Sequence, residues 1–221
     1  RANFDNAGRS LTAGDATSQV KLSGVLVFRG SWVNIRQAKV TNASNDGIYF
    51  GSSSVVEALE ADFSNAGRYG VFGYAGGRIN IRDGKAVNCG RGGVYAYQAT
   101  VVEARGVDVS QSRFGFFAES GSTIDADGAI AKNCSNFGVR ATKSSVINFH
   151  GGDASGAGDV CVQADRGSTI NAHNVSARKN IGSDSPEDIV VEFGSFINAR
   201  SAQGGLNQNA NEITYNGIIF R

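Results

Sequence analysis

The sequence predicts an all-β fold: a right-handed, single-stranded parallel β-helix, or β-solenoid, of about eight coils of about 22–23 residues. Three observations predict it. A Gly followed by an apolar residue recurs as Gly24-Val25, Gly47-Ile48, Gly70-Val71, Gly93-Val94, Gly115-Phe116 and Gly138-Val139, at steps of 23, 23, 23, 22 and 23. Apolar residues return at fixed offsets from that Gly. No segment holds a 3.6-residue apolar period long enough for a helix. In the same register the next unit is expected near Asp159-Val160, 21 further on. The last is expected at Asp188-Ile189, after an insertion around residues 182–186.

Each unit repeats one grammar. In the second, a strand follows the Gly (Ile48-Tyr49-Phe50), then a small-residue turn (Gly51-Ser52-Ser53-Ser54). A second strand follows (Val55-Val56-Glu57-Ala58), then a third (Ala61-Asp62-Phe63-Ser64), and Asn65-Ala66-Gly67 closes the coil. Short alternating runs broken by Gly, Ser and Asn are strands and turns.

Nine past each Gly lie Val33, Val56, Ile79, Val102, Ile124 and Ile147; eleven past lie Ile35, Ala58, Ile81, Ala104, Ala126 and Phe149. Stacked inward, these bury a core that no single coil can form. Eighteen past lie Asn42, Asn65, Asn88, Gln111 and Asn133, whose amides can bond along the stack at ~4.8 Å per rung. Cys89 and Cys134 fall one position later, among alanines, and read as small core fillers.

Composition fits this picture. Gly makes up 30 of 221 residues, twice the usual ~7%, with a single Pro. Net charge is +1, so no basic footprint points to nucleic acid. No apolar run approaches the ~18 residues of a spanning helix, so no membrane insertion is expected, and no signal-peptide pattern is visible. Three cysteines without ligand-type spacing indicate neither a disulfide framework nor a zinc site. Met is absent and the chain begins at Arg1, the expectation being a fragment of a longer fibrous or spike-like protein. The expected division is residues 1–20 as an irregular first coil or cap, 21–200 as the β-helix, and 201–221 as a cap or subunit-contact segment.

Two outward columns are candidate functional faces. On the second strand, ten past each Gly are Asn34, Glu57, Asn80, Glu103, Asp125 and Asn148; twelve past are Arg36, Leu59, Arg82, Arg105, Asp127 and His150. His173 continues the second of these columns. Glycoside hydrolysis needs two carboxylates, so Glu57, Glu103, Asp125 and Asp127 are the acid–base candidates. Adjacent rungs put Glu103 and Asp125 near the ~5–5.5 Å of a retaining pair; two rungs put Glu57 and Glu103 near the ~6.5–9.5 Å of an inverting pair. Arg82, Arg105 and His150 are candidate glycan contacts, Arg suiting acidic sugars through bidentate bonds. A solvated, charge-balanced face, a sugar-binding groove and a catalytic pair all fit this pattern. No metal site is expected.

The other column lies on the first strand. Two past the Gly are Leu26, Tyr49, Phe72, Tyr95 and Phe117; four past are Phe28, Tyr74 and Tyr97. Just before it sit Tyr69, Phe114 and Phe137. In this register an exposed aromatic stripe runs along several coils, larger than monomers usually show. It serves as a subunit interface or as a platform for sugar rings, with Tyr49, Tyr74, Tyr95 and Tyr97 as the candidate contacts; a shift of register would instead make the rings core.

The phrases Gly-Ser-Ser-Ser-Val-Val, Gly-Ser-Thr-Ile-Asp-Ala, Gly-Ser-Thr-Ile-Asn-Ala and Gly-Ser-Phe-Ile-Asn-Ala, with the closing Asn216-Gly217-Ile218-Ile219-Phe220-Arg221, resemble the pectate-lyase-like β-helix superfamily. More narrowly they resemble bacteriophage tailspike and tail-fibre proteins. That resemblance covers about residues 21–200. It implies a homotrimer in the virion tail, outside the cell, that binds bacterial surface polysaccharide (lipopolysaccharide O-antigen or capsule) and often cleaves it as an endo-glycosidase. The calcium cluster and catalytic Arg of pectate lyases find no match, so no cofactor is expected. A non-catalytic shaft or adhesin module, and a monomeric lyase or epimerase domain, are the alternatives.

Overall fold

The computed structural model describes residues 23–178 and 188–202, together with the backbone of the strands Leu11–Ala13, Asn211–Thr214 and Ile218–Phe220. In chain order the strands begin with β1 (Leu11–Ala13), β2 (Val25–Val27), β3 (Trp32–Asn34), β4 (Ile48–Gly51) and β5 (Val55–Glu57). Next come β6 (Tyr69–Tyr74), β7 (Arg78–Asn80), β8 (Gly92–Tyr97), β9 (Val101–Glu103), β10 (Phe114–Glu119) and β11 (Thr123–Asp125). Then follow β12 (Phe137–Thr142), β13 (Val146–Asn148), β14 (Val160–Ala164), β15 (Thr169–Asn171), β16 (Ile189–Glu192) and β17 (Phe196–Asn198). The last two are β18 (Asn211–Thr214) and β19 (Ile218–Phe220).

All pairing is parallel. The even-numbered strands and β1 form one ten-stranded sheet; the odd-numbered strands from β3 to β19 form a nine-stranded sheet. Each strand pairs with its equivalent one coil away, as in Val71↔Val94 and Ile79↔Val102. This is the predicted β-solenoid. The third strand is reduced to a ladder of single bridges, Lys39↔Asp62, Asp62↔Lys85, Lys85↔Asp108 and onward to Ser176. The coil turns on both sides of that residue, so one residue per rung keeps strand geometry. Strands β1, β18 and β19 carry the pairing into both end segments that the sequence sets apart.

The inward columns are buried as the pattern requires, except at Val33 in the first coil, which is half-buried. Val56, Ile79, Val102, Ile124, Ile147 and Ile170 have no exposed surface, and Phe50, Phe63, Phe116 and Phe149 fill the wider parts of the core. The repeat Gly is required by space. A Cβ on Gly70 would stand 2.4 Å from the Ala86 Cβ, and one on Gly93 2.3 Å from the Val109 Cβ. One register expectation is corrected. Phe137 pairs with Val160 and Val139 with Val162, so Cys161 occupies the position of the repeat Gly and the coil starts 23 residues after Gly138. The Asp-Val pair imitated the motif two residues early. Small size is what the position demands, and the Cys161 thiol is buried there.

Two further columns hold the bends. Asn42, Asn65, Asn88, Gln111 and Asn133 all have φ between 53° and 61°, and Gly156 follows them at 78°. Asn tolerates this left-handed conformation better than most residues. Asn88 Nδ2 also donates to Asn65 Oδ1 at 2.9 Å, the expected amide contact. At the other bend the Ser122, Ser145, Ser168 and Ser195 hydroxyls accept from the N–H of Thr100, Ser122, Ser145 and Ser168 at 3.1–3.2 Å. Each buried hydroxyl thus satisfies a buried amide of the preceding coil.

Candidate functional site

The outer side of the ten-stranded sheet carries the aromatic residues. Register places Tyr49, Phe72, Tyr95 and Phe117 in one column. Their rings stack at 4.8, 5.2 and 4.9 Å with interplanar angles of 12°, 12° and 11°. Phe28 caps the column edge-on to Tyr49 at 4.8 Å. Tyr74 and Tyr97 form a second column at 5.8 Å. Tyr69 lies 5.4 Å from Phe72 and 5.1 Å from Tyr95 on the other flank. The expected outward direction is found, but the stripe is half-buried rather than fully exposed. Parallel stacking turns the faces of the rings onto one another, as offset aromatic pairs prefer.

Beyond Phe117 the column continues as Arg140 and Gln163. Arg140 donates through Nε and Nη2 to Asp165 Oδ2 at 3.1 and 2.7 Å, and its guanidinium lies 4.8 Å from the Phe137 ring centroid. The Thr142 hydroxyl contacts the other oxygen of Asp165, which is itself buried. In the adjoining column Tyr97 is followed by Glu119. Tyr95 OH donates to Glu119 Oε2 at 2.6 Å, and Lys143 pairs with Oε1. Burial pushes the Glu119 carboxyl up, but bonds from Lys143 and Tyr95 outweigh it and hold the group below its ordinary range. Burial, then the Glu119 carboxylate, pushes the Tyr95 phenol up. At the opposite end Asp46 is buried and accepts from Arg68 Nε at 2.9 Å, Arg68 Nη2 at 2.7 Å and the Tyr69 N–H at 3.2 Å.

The nine-stranded sheet carries the acid–base candidates. Glu103 and Asp125 are direct register partners, and Asn80 lies between Glu57 and Glu103. The stacking expected of these residues is therefore present. Each carboxylate also has a partner. Glu57 lies 3.6 Å from Arg36 and accepts from Asn80 at 3.4 Å. Glu103 pairs with Arg78, and Asp125 Oδ2 takes two bonds from Arg105 at 2.8 and 2.6 Å. Asp127 Oδ1 accepts from the His150 backbone at 3.0 Å and lies 2.8 Å from Nδ1 of the same residue. His150 meets His173 edge-on at 6.2 Å. Arg82 is exposed, its N–H turned to Asn80 Oδ1 at 3.3 Å.

Glu119, Arg140, Lys143 and Asp165, and the arginines Arg68 and Arg113 beside the aromatic rows, are not among the residues the sequence singles out. The arginines were signalled: Arg68, Arg91 and Arg113 each stand two before the repeat Gly. Among the described residues no three His, Cys, Asp or Glu side chains gather as a metal site needs.

None of the curated proteins compared with the chain matches it. A family model described as "Right handed beta helix region" matches residues 23–181. The match spans well over half of the 221 residues, and its limits enclose most of the two sheets: the chain belongs to the right-handed β-helix family.

Proposed function

We propose that this β-helix binds bacterial surface polysaccharide, O-antigen or capsule, along the outer face of its ten-stranded sheet. In this reading it belongs to a phage tailspike or tail fibre, acts outside the cell as a homotrimer in the virion, and serves host attachment. The observation that carries the proposal is the join of two chemistries on one face. Tyr74, Tyr97 and the Tyr49–Phe117 stack offer apolar ring surface. The Tyr95–Glu119–Lys143 and Arg140–Asp165–Thr142 groups beside them offer donors and acceptors fixed by one another. A sugar ring has apolar C–H faces and a hydroxyl rim, and preorganised aromatic and polar groups suit both. A solenoid face also repeats in one direction, as a linear polymer does.

A second reading is favoured by a specific observation: binding without cleavage. Glu57, Glu103, Asp125 and Asp127 are each engaged by a cation or an imidazole. Paired carboxylates of this kind are what a solvated, charge-balanced face carries without any substrate.

The test measures binding of a panel of surface polysaccharides by isothermal calorimetry and their shortening by reducing-end release. Binding that is lost in a Tyr74→Ala, Tyr97→Ala double variant supports the proposal. Unchanged binding in that variant rejects this face, and no binding to any member rejects the function. Shortening abolished by Glu103→Gln assigns catalysis to the nine-stranded sheet; binding without shortening leaves the module non-catalytic.

A further inference from the structure

Along one edge of the aromatic face runs a ladder of arginines. Arg68, Arg91 and Arg113 precede the aligned residues Tyr69, Gly92 and Phe114 of β6, β8 and β10. Their backbones are bonded rung to rung, with the Arg91 N–H donating to the Arg68 carbonyl at 2.7 Å and the Phe114 N–H to the Arg91 carbonyl at 2.9 Å. Successive guanidiniums therefore start about 4.8 Å apart. Two of them lie across rings of the face: Arg68 at 5.2 Å from Tyr69 and 5.0 Å from Phe72, Arg113 at 5.2 Å from Phe114. Among the described residues Arg91 lies over no ring face, because Gly92 stands where its neighbours have an aromatic; the Tyr69 ring covers that Gly, and the charge of Arg91 acts on the Tyr69 phenol.

The charges are unevenly answered. Arg68 is closed by Asp46, Arg140 by Asp165 and Lys143 by Glu119. Arg91 and Arg113 are exposed and form no ion pair among the described residues. Like charges on adjacent rungs repel, and a surface shaped only for solubility would intersperse the signs, as Arg78–Glu103 and Arg105–Asp125 do on the other sheet. On the aromatic face that compensation is missing over two consecutive rungs.

We propose that this ladder selects an acidic glycan: a linear polysaccharide whose carboxylates sit on Arg91 and Arg113 while its sugar rings lie against the adjoining Tyr49–Phe117 stack, whose Phe72 ring the Arg68 guanidinium of the same ladder reaches at 5.0 Å. The inference rests on the carbohydrate reading above and names its substrate class. Guanidinium is suited to this task because its planar fork matches a carboxylate. The rung-by-rung repeat of the fork also places the two charges along the chain direction of a polymer.

The experiment uses the whole chain and each polysaccharide of the panel in two forms, native and carboxyl-reduced, so that backbone and linkage are kept and only charge is removed. Native acidic polymers should bind, and their reduced forms should lose on the order of tenfold in affinity, as should an Arg91→Gln, Arg113→Gln variant with the native forms. Affinity should fall with added salt in wild type and less steeply in the variant. Equal binding of native and reduced forms, or binding confined to neutral polymers, overturns the inference and leaves the carbohydrate function standing. Binding to no polysaccharide overturns both. Single-stranded DNA captured more tightly than any glycan also overturns it, since stacked aromatics and arginines serve that ligand too.

Discussion

Removing the Arg68 guanidinium should strand a buried charge. The Asp46 carboxylate has no exposed surface and takes two bonds from Arg68, so changing that residue to Met leaves it the Tyr69 N–H at 3.2 Å and the nearby Ser23 hydroxyl. At an effective dielectric of ~20, opposite charges ~4 Å apart attract by about 4 kcal/mol. Truncating one partner of a buried pair typically costs about 3–5 kcal/mol. Contacts of the guanidinium with Tyr69 and Phe72 add about 0.5–1 kcal/mol each. Arg68→Met should therefore lose about 4 kcal/mol, and Arg68→Lys less, because it keeps a charge and loses the fork. Adding Asp46→Asn to Arg68→Met should restore most of the loss, since no charge is then buried. The pH dependence carries a definite sign. Burial pushes the Asp46 carboxyl up even with Arg68 present. In Arg68→Met the folded state holds that proton more tightly than the unfolded chain, so stability falls as pH rises from ~4 and the defect shrinks as pH is lowered. Urea unfolding followed by far-UV circular dichroism and by the fluorescence of the single Trp32 measures all four proteins. A loss below about 1 kcal/mol, or a double variant no better than the single one, would refute the reasoning.

Three other outcomes are expected. Gly70→Ala should cost about 1–3 kcal/mol by overpacking, because its Cβ would meet that of Ala86 at 2.4 Å, and Ala86→Gly in the same chain should return part of it in a double-mutant cycle. Ser145→Ala removes the acceptor of the buried Ser122 N–H and should cost about 1–3 kcal/mol, with amide exchange at Ser122 speeding up ahead of its neighbours. The Cys89 and Cys134 thiols, buried and pushed up to about 11 and about 12, should resist iodoacetamide at pH 8 until urea unfolds the chain; rapid native labelling would contradict their placement.

The sequence showed the fold plainly because a solenoid imposes one environment on every rung. Val56, Ile79 and Val102 face the same core, and the Gly before each coil faces the same crowding, so both repeat at the coil length. Cys161 departs from the motif for the same reason: the position selects for smallness rather than for Gly itself, so the Gly-apolar pattern points two residues early there. The serine ladder was visible as recurring Gly-Ser phrases, but its role needs the geometry of the bend. Ion pairing was less legible. Arg78 reaches Glu103 25 residues on, Arg105 reaches Asp125 20 on, and Arg140 reaches Asp165 25 on. Those offsets are diagonals between columns, chosen by rotamers that no single column records.

The outer columns face solvent, and nothing in the core requires them to repeat. Four aromatic residues in succession at Tyr49, Phe72, Tyr95 and Phe117 therefore need their own cause. One is internal: each stacked pair contributes about 0.5–1.5 kcal/mol, and three such pairs steady four coils. Tyr74 and Tyr97 separate that cause from ligand binding. Their column is interrupted by Gly51 on one side and Glu119 on the other, so within it they make one tilted pair, and Tyr97 adds a single side contact to the main stack, with Tyr95 at 5.9 Å. If the rings exist for stability alone, replacing Tyr97 by Ala should cost about as much as replacing Phe72. If the face binds glycan, Tyr97→Ala should weaken polysaccharide binding while shifting the urea midpoint far less than Phe72→Ala, whose ring touches Tyr49, Tyr69 and Tyr95. Binding and stability that fall together in both variants would return the aromatic face to a purely structural role.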